Sequence, residues 1–274
     1  MCYNLQVMAK SSFRIEGKTA LGHFLTYRPL IHELVTRDLK VKYRRSFLGY
    51  VWSVLNPLLM MCLQAWVFTV IFKSNIENYP LYLIIGNTLY TFFSESTTIS
   101  MNSIISNAGL IKKVYIPKFI LPISSVVSSL VTTLFSFAAI VIVMIITRAP
   151  VHWTILLVWF PLLSMFLFNC GVGMILSGLT VYFRDMQHLY GVVTLALMYA
   201  TPIFYTIDAM TPEVQFMIRL NPIYHYINLF RCLIMIGGVP GPNTWFACIA
   251  SAMVTMIIGL MVFRKLQKDF LLHI

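Results

Sequence analysis

Residues 43–57 read YRRSFLGYVWSVLNP, and the fold turns on how this stretch is read. Two adjacent cations, Arg44 and Arg45, give way through Gly49 to a run that stays almost continuously apolar as far as Phe72. Tyr50 and Trp52 sit where the polarity changes. Cations on one side, amphipathic rings at the boundary and a hydrocarbon-length run beyond mark a helix entering a bilayer from the cytoplasm. Asn56-Pro57 places a proline inside this span, which predicts a kink or a neighbour that takes up the freed carbonyl.

The composition agrees. Hydrophobic residues make up 59% of the chain and charged residues 11%, against about 25% charged in an average soluble domain. Mean hydropathy is +0.81. Apolar runs of about 20 residues make a bilayer the solvent, so no large soluble core is expected. The net charge of +11 could suggest nucleic acid. Yet the cations lie between and before the apolar runs, which points to membrane orientation and anionic lipid instead, with no nucleic-acid partner. The cysteines Cys2, Cys62, Cys170, Cys232 and Cys248 form no C-x-x-C pair, and read as small buried side chains rather than disulfide or metal ligands. The N-terminus does not read as a signal peptide, because mostly polar sequence precedes the first apolar run.

Residues 1–28 form a basic segment. Glu16-Gly17-Lys18-Thr19 ends like a phosphate loop, but Ser12 stands where the first glycine belongs and no strand precedes it. From Pro29 to about Gly49 the pattern is that of an amphipathic interface helix. Leu30, Ile31, Leu34 and Val35 share one face and Arg37, Lys40 and Arg44 another, with Asp38 interrupting the apolar side. Such a helix is expected to lie at the interface with its cations on lipid phosphates; a merely solvated topogenic charge run is the alternative.

The expected fold is an all-α integral membrane protein in which residues 50–274 carry six transmembrane helices. The spans fall at about 50–72, 81–105, 119–146, 153–183, 189–205 and 245–263. The second carries Glu95, whose charge at membrane depth predicts a subunit interface, a translocation path or a pairing with a neighbouring helix. Gly171, Gly173 and Gly178 in the fourth allow close helix approach. Between the fifth and sixth, the apolar run Tyr224–Ile236 is too short to cross, so residues 207–242 predict two short re-entrant outer helices. With both termini cytoplasmic, 16 of the 20 Lys+Arg fall on the inner side, the asymmetry that the positive-inside rule requires.

The 43–57 stretch resembles the start of the first helix in ABC-2-type exporter permeases that move bacterial polysaccharides, of the O-antigen and teichoic-acid exporter type. Phe183-Arg184-Asp185 resembles the F-R-D that follows helix four in that family, and Leu220-Asn221-Pro222 with Phe230-Arg231 its N-P and F-R before the last helix. The resemblance covers about residues 30–270. It implies a homodimer in the bacterial cytoplasmic membrane that binds two separate ABC ATPase subunits, with ATP and Mg on those partners and no cofactor in this chain. It implies that the permease is no enzyme itself, and that its substrate is a polyprenyl-pyrophosphate-linked polysaccharide.

On this resemblance the interface helix and the loop 107–117, with Lys112, Lys113 and Tyr115, contact the ATPase, and Arg184-Asp185 joins them in coupling. Asp185 is expected to pair with Arg184, Lys112 or Lys113. Asn221, Pro222 and Arg231 belong to an outer gate. Arg37, Lys40, Arg44 and Arg45 are candidates for a lipid pyrophosphate or for headgroups. The channel would be lined by aromatics on which sugar C–H faces can slide. Tyr90, Phe93, Tyr199, Phe204 and Tyr205 are the candidates, with Glu95 beside them. A permease for a drug or small lipid is the alternative. An intramembrane transferase is disfavoured, because no paired carboxylates or partnered histidine stand together.

Overall fold

The computed structural model describes residues 27–44, 46–70, 76–114, 116–207 and 210–270. Arg45, Tyr115 and most of the basic segment 1–28 lie outside the described residues. The described elements are all helical: α1 Arg28–Tyr43, α2 Trp52–Val70, α3 Tyr79–Ser106, α4 Ala108–Lys113, α5 Ile120–Ile146, α6 Trp159–Tyr182, α7 Met186–Ala200, α8 Pro212–Leu220, α9 Pro222–Arg231 and α10 Pro242–Leu266. Single tighter turns precede α2 and α6, and a π-turn at Cys232–Ile236 follows α9.

Four segments, Gly49–Thr69, Ile120–Ile146, Trp153–Tyr182 and Pro242–Asp269, are long and apolar enough to cross a membrane. Two further expected spans are also helical but differ in kind. The 28-residue α3 is about 42 Å long, but it is interrupted by Asn87, Glu95 and a series of hydroxyls. The 15-residue α7 reaches only about 22 Å. It stops at Ala200, short of the expected Tyr205, because Pro202 follows and leaves the residue before it extended.

The interface helix also ends early. It stops at Tyr43, and Arg44 turns extended at φ −62° and ψ 133°. Gly49 then adopts a left-handed φ of +49°, a conformation costly for any residue with a Cβ. Pro57 sits within a continuous α2. The apolar side of α1 does not simply face lipid. Ile31 and Leu34 are buried in a cluster with Ile104, Ile120, Leu121, Phe263 and Phe270, so α1 is packed onto one end of the bundle. That end also carries Lys112, Lys113, Arg184 and Arg264, and is called the basic end below.

The most polar of the long helices is also among the most enclosed. Helix α3 packs against α2, α5, α6, α7 and α9, and Leu81, Leu83, Ile84, Ile85 and Leu89 are fully buried. A polar side chain at depth is tolerable where it faces protein rather than lipid. The partner face of α5 is built from Ser124, Ser125, Ser128, Ser129, Thr132, Thr133 and Ser136, all buried. Most of these hydroxyls donate back to the carbonyl four residues earlier, such as Ser128 to Ser124 at 3.0 Å and Thr133 to Ser129 at 2.9 Å. This satisfies them without a long side chain, so the helices can approach. Ser136 also accepts a cross-helix role, donating to the Ser53 carbonyl of α2 at 2.9 Å.

The largest helix contact joins α6 and α10. Its centre is a glycine crossing: a Cβ on Gly171 would overlap the Thr255 backbone, and one on Gly259 would overlap the backbone of Gly171. No side chain can yield there, because both obstacles are main chain. Gly171→Leu is therefore expected to destabilise the protein by about 1–3 kcal/mol or to prevent its folding, read as a lowered melting temperature or lost monodisperse protein in detergent. A melting temperature equal to wild type would show that the helices separate at no cost.

Candidate functional site

The break after α7 creates the site. At Ala200 the helix stops, Pro202 offers no donor to the carbonyl one turn back, and the carbonyls of the irregular residues that follow have no helical partners. Away from water each such group costs free energy unless another donor reaches it. Side chains from two other helices supply those donors. Arg231, at the end of α9, donates to the Pro202 carbonyl at 2.7 Å and to that of Ile203 at 3.1 Å. From the first turn of α3, Tyr79 donates to Phe204 at 2.8 Å, and Tyr82 to Tyr205 at 2.7 Å.

Arg231 also binds α3 directly. Its second guanidinium nitrogen donates to the Tyr82 carbonyl at 3.1 Å, and its central carbon lies 3.4 Å from the centroid of the Tyr82 ring. Only 7% of the residue is exposed. Among the described residues no carboxylate pairs with it. The charge is held instead by three carbonyls and an aromatic face. Gly86 leaves the room for this, since a Cβ there would stand 2.6 Å from the guanidinium.

The N-P motif ties the same break to α9. Asn221 accepts from the Ile223 amide at 3.0 Å, capping α9, while its amide group donates to the Thr201 hydroxyl at 2.9 Å. Pro222 fills the first helical position, where its missing donor is not needed. The three expected gate residues therefore meet at the irregular segment 201–205. Beside them lies a cavity of about 190 Å³ lined by Tyr82, Thr206, Tyr224, Asn228 and Arg231. The Tyr224 ring, the Thr206 hydroxyl and the Asn228 amide round this cleft can accept a hydroxylated, ring-shaped group.

The aromatic candidates separate into two kinds. Tyr90, Phe93 and Phe204 are buried. Tyr90 donates to the Thr194 carbonyl of α7, and Phe93 packs 6.1 Å from Tyr90 and 6.0 Å from Phe168. Phe204 stacks on Phe68 at 5.3 Å. Their rings pack within the chain. Tyr199 is 63% exposed, and half-buried Tyr205 donates to the Tyr199 carbonyl at 2.8 Å. These two remain available. Glu95 forms an ion pair with Lys42 of α1, the pairing alternative.

At the basic end, Arg37 donates to Asp38 at 2.8 Å and to the Asn107 side chain at 2.8 Å. The second contact joins α1 to the start of α4, the two elements expected to meet an ATPase. Lys40 and Arg44 are exposed, as are Lys112 and Lys113 on α4. Arg184 and Asp185 are exposed too. Asp185 makes none of the expected ion pairs among the described residues. It stands at the start of α7, where a carboxylate complements the helix dipole. Lys118 lies above the Phe270 ring and donates to the Gln267 carbonyl at 2.7 Å; burial lowers its pKa while Asp269 pulls it back up.

Tyr79, Tyr82, Gly86 and Thr201 were not anticipated. Their signal was Pro202 itself: a break at depth obliges some neighbour to donate. Arg231→Met is expected to lower stability by about 3 kcal/mol or more, because three carbonyls lose a donor. Arg231→Lys should recover only part of that, since an ammonium cannot span adjacent carbonyls as a planar fork does. Thermal melting of the purified variants checks both. Equal melting of Met, Lys and wild type would remove Arg231 from the load the break imposes.

The family model for ABC-2 type transporters matches residues 29–235. The chain is 32% identical over 263 residues to an O-antigen export system permease protein, RfbA, of Klebsiella pneumoniae, covering 93% of this chain and 98% of that protein. It is 28% identical over 246 residues to an RfbA permease of Myxococcus xanthus, covering 89% and 95%. It is 23% identical over 274 residues to the polysialic acid transport protein KpsM of Escherichia coli, covering 96% and 99%. The matched region runs from the interface helix to the π-turn after α9, so the site above lies wholly within it, and the chain belongs to the ABC-2 type transporter membrane family.

Proposed function

We propose that this chain is the permease subunit of an ATP-driven exporter that moves a lipid-linked cell-surface polysaccharide outward across the cytoplasmic membrane. The observation that carries the reading is near full-length similarity to permeases named for O-antigen export. Relatives named for capsule polysaccharide export point the same way. Relatives of both kinds favour a glycan over a drug or small lipid.

In this reading both termini are cytoplasmic, and the basic end faces an ATPase that binds ATP and Mg. Two permeases and two ATPases make the working unit. The exposed lysines of α4 take the ATPase contact, and the Arg37–Asn107 bond carries its motion to α1. Polyprenyl pyrophosphate or anionic headgroups meet Lys40 and Arg44, whose cations stay exposed. At the far end α8 and α9 close the exit, hinged on the segment 201–205 that Arg231 and Asn221 hold. Aromatic faces such as those of Tyr199, Tyr205 and Tyr224 give the glycan a surface without fixed hydrogen bonds.

Two measurements test this. ATP hydrolysis by the permease–ATPase complex is expected to rise several-fold with lipid-linked polysaccharide and not with hydrophobic drugs; the reverse selectivity would sink the glycan assignment. Arg37→Ala is expected to leave assembly and basal hydrolysis in place and to reduce the glycan-stimulated increment by more than half. A full increment in that variant would take the α1–α4 bond out of the coupling route.

A further inference from the structure

A second cavity, of about 490 Å³, lies between α1, α3 and α5 near the basic end. It is separate from the cleft at Arg231. Four charged side chains line it: Arg37, Asp38 and Lys42 from α1, and Glu95 from α3. They form two ion pairs, Arg37 with Asp38 at 2.8 Å and Lys42 with Glu95. The net charge of the wall is therefore zero, with each sign present twice.

The cavity is also deep. Asn107 at its mouth marks the end of α3, and Glu95 lies 11 residues up the helix from Ser106, about 16 Å by helical rise. Its α5 wall carries Ser129, whose hydroxyl oxygen is buried and has no hydrogen-bond partner within the protein. Leu39 and Ile99 complete the wall with apolar surface. An orphaned hydroxyl in a slot lined by both charged and apolar side chains calls for a polar ligand attached to an apolar one.

Charge balance selects the ligand. A pyrophosphate would bring several negative charges against Asp38 and Glu95, which would repel them. A phosphodiester carrying a primary ammonium fits instead: its phosphate meets Arg37 and Lys42, and its N–H groups meet Glu95 and Asp38 as charge-assisted donors. Its acyl chains follow Leu39 and Ile99 into the bilayer. We infer that this cavity is a binding site for the phosphoethanolamine headgroup of a membrane phospholipid, seated between the interface helix and the α3–α5 pair. The inference stands on the cavity alone and does not require the glycan assignment.

The test uses delipidated full-length permease in detergent, given equal amounts of phosphatidylethanolamine, phosphatidylglycerol and phosphatidylcholine, with retained lipid counted by native mass spectrometry. The expected result is retention of phosphatidylethanolamine about tenfold over each competitor, the order that one charge-assisted hydrogen bond supplies. Glu95→Gln, close to isosteric, should reduce that preference to less than about twofold, and Ser129→Leu, which fills the slot, should remove it. Free phosphoethanolamine should compete only weakly, because it lacks the acyl chains. Equal retention of the three lipids by wild type, or a preference unchanged in Glu95→Gln, would overturn the inference. So would one-for-one displacement by polyprenyl pyrophosphate, which would give the cavity to the transported substrate. Loss of glycan-stimulated hydrolysis has no bearing on any of these readouts, so this inference and the proposed function fail separately.

Discussion

A backbone broken inside a membrane protein must find its hydrogen bonds within the protein, and the far end of this bundle is arranged around that requirement. Four consecutive carbonyls, Pro202 to Tyr205, receive side-chain donors from α3 and α9. An arginine suits the task because its planar fork reaches two adjacent carbonyls and a third on another helix at once. Burial of an uncompensated cation is costly. Here the cost is offset by three carbonyl dipoles and the face of Tyr82, and Gly86 holds the space open. One side chain thus fixes the mutual position of α3, α7 and α9. Any movement of the short helices requires that fork to let go or to travel with them.

Elsewhere the bundle relies on close approach. Lipid tails are as apolar as leucine, so burying leucine against leucine gives little drive for helices to associate in a bilayer. Contact geometry and hydrogen bonding must supply it. The glycine crossing of α6 on α10 and the hydroxyl face between α3 and α5 are two forms of the same solution. Both remove side-chain bulk so that backbones meet. The Lys42–Glu95 pair belongs to the same logic, since it lets a polar α3 stay at the centre of the bundle while α1 brings its counter-charge.

The fold was legible where polarity changes sharply. The boundaries of α3, α5 and α10 fall within about three residues of expectation, because a switch from charge to a long apolar run has one reading. The end of the fifth span was less legible: Pro202 was visible, but hydropathy continues through Tyr205 while the helix does not. Asn221, Pro222 and Arg231 were found through their motifs. What these residues hold was not, since carbonyl acceptors leave no trace in sequence. The aromatic candidates were not separable by hydropathy. In a chain with 14% Phe, Trp and Tyr, a ring facing lipid, a ring facing a neighbouring helix and a ring facing a path carry the same hydropathy. Only contacts separate Phe93, wedged against Phe168, from exposed Tyr199.

That separation constrains where a glycan could travel. A ring packed against neighbouring rings has less face to offer a sugar than an exposed one. The faces left uncommitted lie on α2 and α7. Helix α7 buries only Tyr190, and α2 leaves Leu59, Leu63 and Trp66 more than half exposed. Tyr199 stands on the same open side of α7, next to the break that Arg231 secures. A path bordered by these two helices would put the aromatic surface and the hinge of the outer helices side by side. The residue that keeps the broken backbone in order would then also set how far the exit can open.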